Sequence, residues 1–422
     1  MSFDFTTLYD RRGKDALAVD IADTEPSLKP KEGFDVIPMW IADMNFATAP
    51  SVTRAVVERL DHPLFGYFET RDEYYDSIIW WQKARNGVTG LEYEHIGYEN
   101  GVLGGLVSAL RAVCATGDKV LVHSPTYIGF TGSIEGAGYR IVTSDLKPDQ
   151  AGVMRMDLVD MEAKIRENDI RALVFCSPHT PCGRVWERAE IEALVELCAR
   201  LDVTIISDEI WSDLTLPGHK HIPTQSVSDE ARRRTIALYA PSKTFNLAGL
   251  IGSYHIIYNE ALRRRVLKES AATHYNSMNV LSMHALMGAY SEEGAAWLDE
   301  LREVLGGNVA YACDFIDREL DGVSVRRPEG TYMLFVDCGE YCRANGRTLD
   351  EVKRAGIEVG VLWQDGRPFH GASHLRMNLA LPRDRMIEAF DRLKKQSSSK
   401  SAPAARLWEA ARGASCAVPR AA

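Results

Sequence analysis

Short runs of apolar, often β-branched residues recur through the middle of the chain. They are "KVLVHSP", "RALVFCSP", "VTIISDEI", "TIALYAPS" and "GSYHIIYN". Runs of this length that end in turn or polar residues predict buried strands. Between several of them lie segments of helical period, such as "AEIEALVELCARL" at 189–201. Alternating strands and helices predict an α/β fold, in which a mostly parallel sheet lies between two layers of helices.

The two ends of the chain have a different pattern. Residues 1–60 and 291–395 mix helices with short strands such as "TYMLFVDC" and "HLRMNLAL", which predicts a smaller α+β domain built from both chain ends. Residues 61–290 are then the large domain. Residues 396–422 are rich in Ser, Ala and Pro, and they are predicted to form a flexible tail with a helical turn or two around 405–412.

Composition excludes several classes of partner. The 422 residues are 45% hydrophobic and carry a formal charge of -10, without a block of Lys and Arg. This balance gives no broad attraction to nucleic acid or to anionic membranes. No apolar run is long enough to span a bilayer, and the first residues lack the pattern of a secretory signal, so we expect a cytoplasmic protein. The eight cysteines are scattered, unlike the dense framework of small secreted domains.

The stretch "FCSPHTPCGRVW" at 175–186 suggests a metal site at first sight, because Cys176, His179 and Cys182 recur every three residues. Zinc sites usually need four ligands, or three and a water, that close on one ion. Here Cys176 belongs to the apolar strand and lies two residues before a proline. We therefore expect no metal, and we interpret the stretch as a strand that runs into a proline-fixed loop.

Polar residues at the ends of three predicted elements are the candidates for chemistry. Asp208 ends one strand, Ser242 and Lys243 follow another, and glycines at 101, 104 and 105 open a helix. Each feature alone has an ordinary structural explanation, such as a helix cap or a surface charge. Ligands of parallel sheets, however, bind beyond the carboxyl ends of the strands. There a helix start favours phosphate, an amine can form a Schiff base, and a buried carboxylate can keep a pyridine nitrogen protonated. The combination predicts pyridoxal 5'-phosphate.

The order and spacing of these segments resemble those of the fold-type I pyridoxal-phosphate enzymes, the aspartate aminotransferase superfamily. Within it, the chain most resembles the MalY/PatB branch of cystathionine β-lyases. The resemblance covers residues from about 34 to 382, and it rests on "DVIPMWIADMNF", "HPLFGYF", "GYENGVLGGL", "SPTYIGF", "SPHTPCGRVW", "SDEIW", "APSKTFNLAGL", "PEGTYMLFVD" and "LRMNLALP".

The resemblance implies a role for individual residues. Lys243 matches the lysine that joins the cofactor aldehyde, and Asp208 matches the acid that pairs with the pyridine nitrogen. The other implied cofactor contacts from the same chain are the helix start, a hydroxyl, the ring-stacking tyrosine and two residues near the phenolic oxygen: Gly101, Val102, Leu103, Ser242, Tyr127, Thr180 and Trp211.

It also implies a substrate and a partner. Arg376 matches the arginine that binds the α-carboxylate of an amino acid, and Trp40 is placed at the substrate as well. Tyr67 matches a tyrosine that reaches the phosphate in the neighbouring subunit, which implies a homodimer with shared sites.

Three positions depart from the wider superfamily. Many members have Asn where this chain has Thr180, and aminotransferases often have Tyr where it has Trp211. Ile251 stands where many relatives place a phosphate-binding Arg, although the MalY-like branch commonly lacks that Arg too. We expect the electronic properties of the bound cofactor to differ accordingly.

Three functions are compatible with these residues. The resemblance to the MalY/PatB branch favours a carbon–sulfur β-lyase, which releases a thiol, pyruvate and ammonia. An aminotransferase would use the same residues to pass the amino group to a 2-oxo acid. A protein that binds the cofactor with little turnover, and acts as a regulator, is the third hypothesis.

Overall fold

The computed structural model describes residues 2–399, and they form an α/β structure. The helices are α1 (Leu17–Thr24), α2 (Pro50–Leu60), α3 (Asp72–Asn86), α4 (Val102–Val113), α5 (Ile128–Gly136), α6 (Leu158–Asn168), α7 (Arg188–Arg200), α8 (Asp229–Arg234), α9 (Glu260–Ala272), α10 (Val280–Ala289), α11 (Glu292–Glu319), α12 (Gly339–Asn345), α13 (Leu349–Glu358) and α14 (Arg383–Ser399).

The strands are short, and the largest sheet contains seven of them. They are β1 (Ile37–Pro38), β2 (Ile96–Glu99), β3 (Lys119–Ser124), β4 (Arg140–Asp145), β5 (Lys147–Pro148), β6 (Met154–Arg155), β7 (Ala172–Cys176), β8 (Thr204–Asp208), β9 (Thr235–Tyr239), β10 (Ser253–Ile256), β11 (Ser324–Val325), β12 (Met333–Asp337), β13 (Val361–Leu362), β14 (Gln364–Asp365) and β15 (His374–Asn378).

The large sheet has seven strands in the order β2-β10-β9-β8-β7-β3-β4. Neighbours are parallel except β10, which runs antiparallel to both β2 and β9. All five apolar runs in the sequence are strands of this sheet. The predicted mostly parallel α/β fold is confirmed.

Helices cover both faces of the sheet, which explains why its strands are apolar throughout. Alternate residues of β3, Val120 and Val122, pack with side chains of α4, α5 and α9. Leu121, between them, packs on the opposite face with side chains of α6 and α7. Because successive side chains of a strand point to opposite faces, a strand buried on both sides needs apolar residues at every position.

A second, antiparallel sheet has the order β11-β12-β15-β14, and β1 pairs with β13 in parallel. The pairing of β1 with β13 joins the N-terminal segment to the C-terminal part of the chain, as a domain built from both chain ends requires. The residue boundaries of the two domains stay a prediction. Helix α14 runs to Ser399, beyond the predicted start of the tail at residue 396, and residues 400–422 lie outside the described residues.

No helix within residues 2–399 has the length and apolar content to cross a bilayer.

Arg184 ties the loop after β7 to distant parts of the chain. Its side chain is 5% exposed and donates to Glu329 at 2.5 Å and to Glu190 at 2.6 Å. Glu329 also accepts the N–H of Val185 at 2.9 Å. A buried cation held by two carboxylates leaves uncompensated charge when one partner is removed.

We therefore expect Arg184→Met to lower the free energy of unfolding by about 3–5 kcal/mol. The matched control is Arg188→Met, since Arg188 is half exposed and pairs with Glu192 at 3.5 Å. That variant should change the free energy of unfolding by about 0–1 kcal/mol. Urea unfolding followed by tryptophan fluorescence measures both, and equal losses in the two variants would contradict the role assigned to Arg184.

Candidate functional site

The carboxyl ends of three adjacent strands define the site. Parallel pairing sets Cys176 of β7 opposite Asp208 of β8, and Asp208 opposite Leu238 of β9. The loops that follow these strands therefore leave the sheet at one edge. They carry Thr180 after β7 and Lys243 after β9.

Ten of the twelve site residues that the sequence predicts line one cavity of about 310 Å³ at this edge. They are Gly101, Val102, Leu103, Tyr127, Thr180, Asp208, Trp211, Ser242, Lys243 and Arg376. Larger cavities of about 710 and 510 Å³ lie elsewhere and contain none of the twelve. The smaller cavity is the candidate site because it brings together an amine, a carboxylate, a guanidinium and a helix start.

The start of α4 supplies the anion-binding part of this cavity. Gly101 caps the helix with φ of 86°, a conformation that favours glycine, and no side chain within residues 2–399 caps the first N–H groups. The hydroxyl of Tyr275 donates to the carbonyl of Gly101 at 3.1 Å and fixes the turn from behind. The free N–H groups at a helix start, together with the helix dipole, bind phosphate well.

Lys243 lies at the centre of the cavity. Its amine donates to the carbonyl of Ala42 at 2.8 Å. Burial and the nearby guanidinium of Arg376 lower the pKa of Lys243 to about 8. A lysine with a pKa in this range keeps a useful fraction of free amine near neutral pH, as nucleophilic catalysis requires.

Asp208 is the buried carboxylate of the site, with 5% exposure. One of its oxygens accepts the N–H of Ile210 at 3.0 Å. Burial raises the pKa of Asp208 to about 7. A carboxylate in such surroundings gains from a cationic partner, and the protonated nitrogen of a pyridine ring is a partner of that kind.

Glu209, which the sequence analysis missed, holds the end of β8 in place. Its buried carboxylate accepts from the hydroxyls of Ser207 at 2.9 Å and Tyr239 at 2.6 Å, and from the N–H of Thr224 at 3.0 Å. It also lies 2.7 Å from a ring nitrogen of His221. The only sequence signal was its position directly after Asp208, which gives no indication of where the side chain points.

Arg376 brings unused hydrogen-bond donors to the cavity. It is 4% exposed, and its guanidinium stacks over the ring of Phe369 at 4.4 Å. One nitrogen donates to the carbonyl of Trp40 at 3.3 Å, while Nε and Nη1 have no hydrogen-bond partner within residues 2–399. Because a buried guanidinium without an acceptor is costly, the geometry fits a ligand carboxylate.

Thr180 and Trp211, two of the positions that depart from the wider superfamily, line the cavity. The Thr180 hydroxyl is buried and has no partner among the described residues. The ring of Trp211 packs edge-on against Tyr332, with centroids 4.8 Å apart. In the same loop, the sulfur of Cys176 accepts the N–H of Thr180 at 3.4 Å, and His179 packs against Trp186.

Two predicted residues lie outside the cavity. Trp40 directs its indole N–H to the carbonyl of Ala18 at 3.0 Å, and only its own carbonyl contacts Arg376. Tyr67 is fully exposed, at 112% of its reference area. The roles of Trp40 at the substrate and of Tyr67 in a neighbouring site stay predictions.

Segment 40–46 contributes Ala42 to the lining of the cavity, and two asparagines that the sequence analysis missed hold its backbone. Asn246 accepts the N–H of Met44 at 2.9 Å and donates to the Met44 carbonyl at 3.0 Å. Asn378 donates to the carbonyls of Ile41 at 2.7 Å and Asp43 at 2.5 Å. Both follow predicted site residues in "SKTFN" and "RMN", which was the available signal.

These groups fit pyridoxal phosphate. The helix start matches the phosphate, the amine of Lys243 matches the aldehyde, and Asp208 matches the ring nitrogen. The unpartnered hydroxyl of Thr180 is available to the phenolic oxygen. Tyr127, which caps α5 and lines the cavity, offers an aromatic face.

Comparison with known proteins gives a consistent result. Residues 35–393 match the family of class I and II aminotransferases. Cystathionine β-lyase PatB of Bacillus subtilis (strain 168) is 33% identical over 363 residues, which cover 85% of this chain and 92% of PatB. Protein MalY of Escherichia coli (strain K12) is 31% identical over 391 residues, which cover 91% of this chain and 96% of MalY.

A solved structure extends the likeness to three dimensions. The pyridoxal-phosphate-bound C–S lyase of Staphylococcus hominis superposes with a TM-score of 0.84 at 31% identity. The match covers 94% of this chain and all of that chain.

The burial of Asp208 predicts a pH-dependent cost of folding. The unfolded chain ionises this carboxyl near pH 4, whereas the folded chain holds its proton up to about pH 7. Between these values the folded state binds more protons, so the free energy of unfolding falls as pH rises and then levels off. In protein stripped of cofactor, Asp208→Asn should raise the free energy of unfolding by roughly 2–4 kcal/mol at pH 8 and change it little near pH 4.

Urea unfolding at the two pH values measures this difference. The control is Asp145→Asn, because Asp145 is exposed at the end of β4 and should show no such dependence. A stabilisation by Asp208→Asn that is the same at pH 4 and pH 8 would show that ionisation of this group is not its cause.

Proposed function

Because the chain belongs to the class I and II aminotransferase family, we propose that it is a pyridoxal-phosphate-dependent carbon–sulfur β-lyase. Its substrate is an amino acid with a thioether at Cβ, such as L-cystathionine. The observation that carries the proposal is the convergence of Lys243, Asp208, Arg376 and the start of α4 on one cavity. The names of the relatives PatB and the Staphylococcus hominis C–S lyase support the lyase outcome.

When bound, pyridoxal phosphate supplies an aldehyde that takes the substrate amine and an electron-poor ring that stabilises negative charge at Cα. The start of α4 and the hydroxyl of Ser242 would hold its phosphate, and Tyr127 would pack against its ring. Asp208 would keep the proton on the ring nitrogen, which makes the ring a better acceptor of electrons.

Arg376 binds and orients the substrate. Its unpartnered Nε and Nη1 donate to the α-carboxylate in a two-point contact, which fixes the rotation of the amino acid about Cα. The burial of this guanidinium excludes water and strengthens the contact.

Lys243 moves the proton. With cofactor and substrate bound, the amine of Lys243 would act as the general base that takes the α-proton. The pKa of about 8 suits this role, since the group is then basic enough to take the proton and is not fully protonated beforehand. The electron pair at Cα then expels the thiolate from Cβ. With one water, cystathionine gives homocysteine, pyruvate and ammonia.

An aminotransferase would use the same residues and differ only in where the proton goes next. In that case the amine of Lys243 would return the proton without loss of a thiolate, and the cofactor would supply the chemistry that converts the substrate to a 2-oxo acid. The family to which the chain belongs favours this second candidate, since it is named for that reaction.

We also propose a homodimer with shared active sites. In one chain Tyr67 contributes nothing to the cavity and is fully exposed. Its neighbours Leu64 and Phe65 are 68% and 58% exposed, an unusual run of bare apolar side chains for a free surface. A second copy that covers this segment would bury them and bring Tyr67 to the phosphate of the partner's site.

The reaction is tested with L-cystathionine and no added 2-oxo acid. We expect the purified protein to release pyruvate, measured with lactate dehydrogenase. Lys243→Ala should lower the rate about 10³-fold or more and lose the yellow colour of lysine-bound pyridoxal phosphate. The control is Lys220→Ala, because Lys220 is exposed and lies outside the cavity.

Other outcomes identify the alternatives. Amino transfer to 2-oxoglutarate without pyruvate release would establish the aminotransferase. If the protein binds the cofactor but catalyses neither pyruvate release from L-cystathionine nor amino transfer to 2-oxoglutarate, the regulatory hypothesis is favoured.

Shared sites are tested by complementation. Tyr67→Ala and Lys243→Ala should each lose most activity as homodimers. Coexpression gives heterodimers with one intact site and one doubly damaged site, so about a quarter of parental activity should return. Lys243→Ala mixed with Asp208→Ala is the matched control, because both residues act in the same chain and every site stays damaged. No recovery in the first mixture would contradict the sharing of Tyr67.

A further inference from the structure

The phosphate end of the active-site cavity depends on neutral hydrogen-bond donors. The cations that line the cavity within residues 2–399 are Lys243 and Arg376, which the cofactor aldehyde and the substrate carboxylate would occupy. Ile251 lies beside Gly101, at the position where many members of the superfamily place a phosphate-binding Arg. The free N–H groups at the start of α4 must therefore supply most of the attraction for a phosphate.

Tyr275 lies behind this helix start, in the loop between α9 and α10. Its hydroxyl donates to the carbonyl of Gly101 at 3.1 Å. The same carbonyl accepts the N–H of Gly105 at 3.1 Å, so two donors hold it. The Gly101 carbonyl and the N–H of Val102 belong to one planar peptide unit. The two hydrogen bonds therefore fix the direction of the Val102 N–H as well.

The bond from Tyr275 also makes the N–H of Val102 a stronger donor. Val102 is the first residue of α4 and lines the cavity, so its N–H is one of the free donors at the helix start. Donation to an amide oxygen draws electron density away from the amide nitrogen, and hydrogen bonds that follow one another in a chain strengthen each other. A phosphate at Val102 would complete such a chain.

The glycine at position 104 makes room for Tyr275. A Cβ atom at Gly104 would lie 2.2 Å from the Tyr275 hydroxyl oxygen and 2.5 Å from two carbons of its ring. The φ of Gly104 is not positive, so the backbone does not require glycine there, and alanine would favour the helix more. The close approach of Tyr275 is the contact that excludes a side chain at this position.

A buried pair of side chains adjoins the Tyr275 hydroxyl. The carboxylate of Glu99 and the backbone N–H of Asn100 both interact with this hydroxyl. Glu99 and His255 are fully buried, with Oε1 and Nδ1 2.7 Å apart. The ring of His255 lies across Gly97, where a Cβ atom would be 2.3 Å from it. Burial, followed by the carboxylate of Glu99, raises the pKa of Tyr275 above its ordinary value, so the hydroxyl keeps its proton and stays a donor.

We propose that Tyr275 is a positioning residue for the cofactor phosphate, which fixes and polarises the peptide unit between Gly101 and Val102. The inference rests on the proposed function only for the identity of the cofactor, and it does not depend on which reaction follows. Tyr275 then controls the affinity for the phosphate group and leaves the contacts of Lys243 and Asp208 with the rest of the cofactor unchanged.

Two ligands separate this role from a general structural one. Pyridoxal 5'-phosphate and pyridoxal, which lacks the phosphate, are titrated into the full chain stripped of cofactor, and the absorbance of the lysine-bound aldehyde reports binding. Tyr275→Phe should weaken the binding of pyridoxal phosphate about three- to tenfold, the loss expected for one neutral hydrogen bond, and that of pyridoxal less than about twofold. The matched control is Tyr93→Phe, which removes an exposed hydroxyl bond to Asp76 outside the cavity and should change neither affinity.

A double substitution tests whether Gly104 and Tyr275 act through the same contact. Gly104→Ala displaces the hydroxyl and should weaken pyridoxal phosphate by a similar factor, about three- to tenfold. Once Tyr275→Ala has removed the ring, Gly104→Ala should cause no further loss, because the contact is already gone.

Three results would overturn the inference: an unchanged affinity for pyridoxal phosphate in Tyr275→Phe, equal losses for the two ligands in that variant, or losses that add in the double variant. None of them bears on pyruvate release. Conversely, tight phosphate-dependent binding of the cofactor by a protein that releases no pyruvate would contradict the proposed lyase alone.

Discussion

Parallel pairing of β7, β8 and β9 is the constraint on which the active site depends. The register sets Cys176 opposite Asp208 and Asp208 opposite Leu238, so the loops after these strands begin side by side. Apolar packing on both faces of the sheet holds that register, because a shift of one residue would exchange the faces of every side chain. The positions of the site residues are therefore set by the packing of the core.

The electrostatics of the cavity follow from this placement. A carboxylate, an amine and a guanidinium lie together in a buried cavity. Burial makes the charged form of each group less favourable than it is in water. A ligand with a phosphate, a cationic ring nitrogen and a carboxylate would compensate these groups together.

The sequence was sufficient to predict those parts of the structure that depend on local pattern. The five strands and the catalytic candidates at their ends could be predicted, because apolar runs and strand-end polar residues are visible in one dimension. The directions in which the side chains of Asn246, Asn378 and Glu209 point could not be predicted, because they depend on which backbone segment packs beside them. Trp40 illustrates the same limit: the resemblance implied a role at the substrate, and the sequence could not show that its indole donates to the carbonyl of Ala18.

The hydrogen bonds that fix the backbone of segment 40–46 have a consequence for how the substrate specificity of such an enzyme can change. Lys243, Asn246, Asn378 and Arg376 bond mainly to carbonyl oxygens of this segment, which every residue type provides. The path of the backbone therefore depends little on the side chain at position 42, which lines the cavity. Evolution can exchange that side chain without loosening the backbone that carries it, so new substrate preferences are accessible by a single substitution.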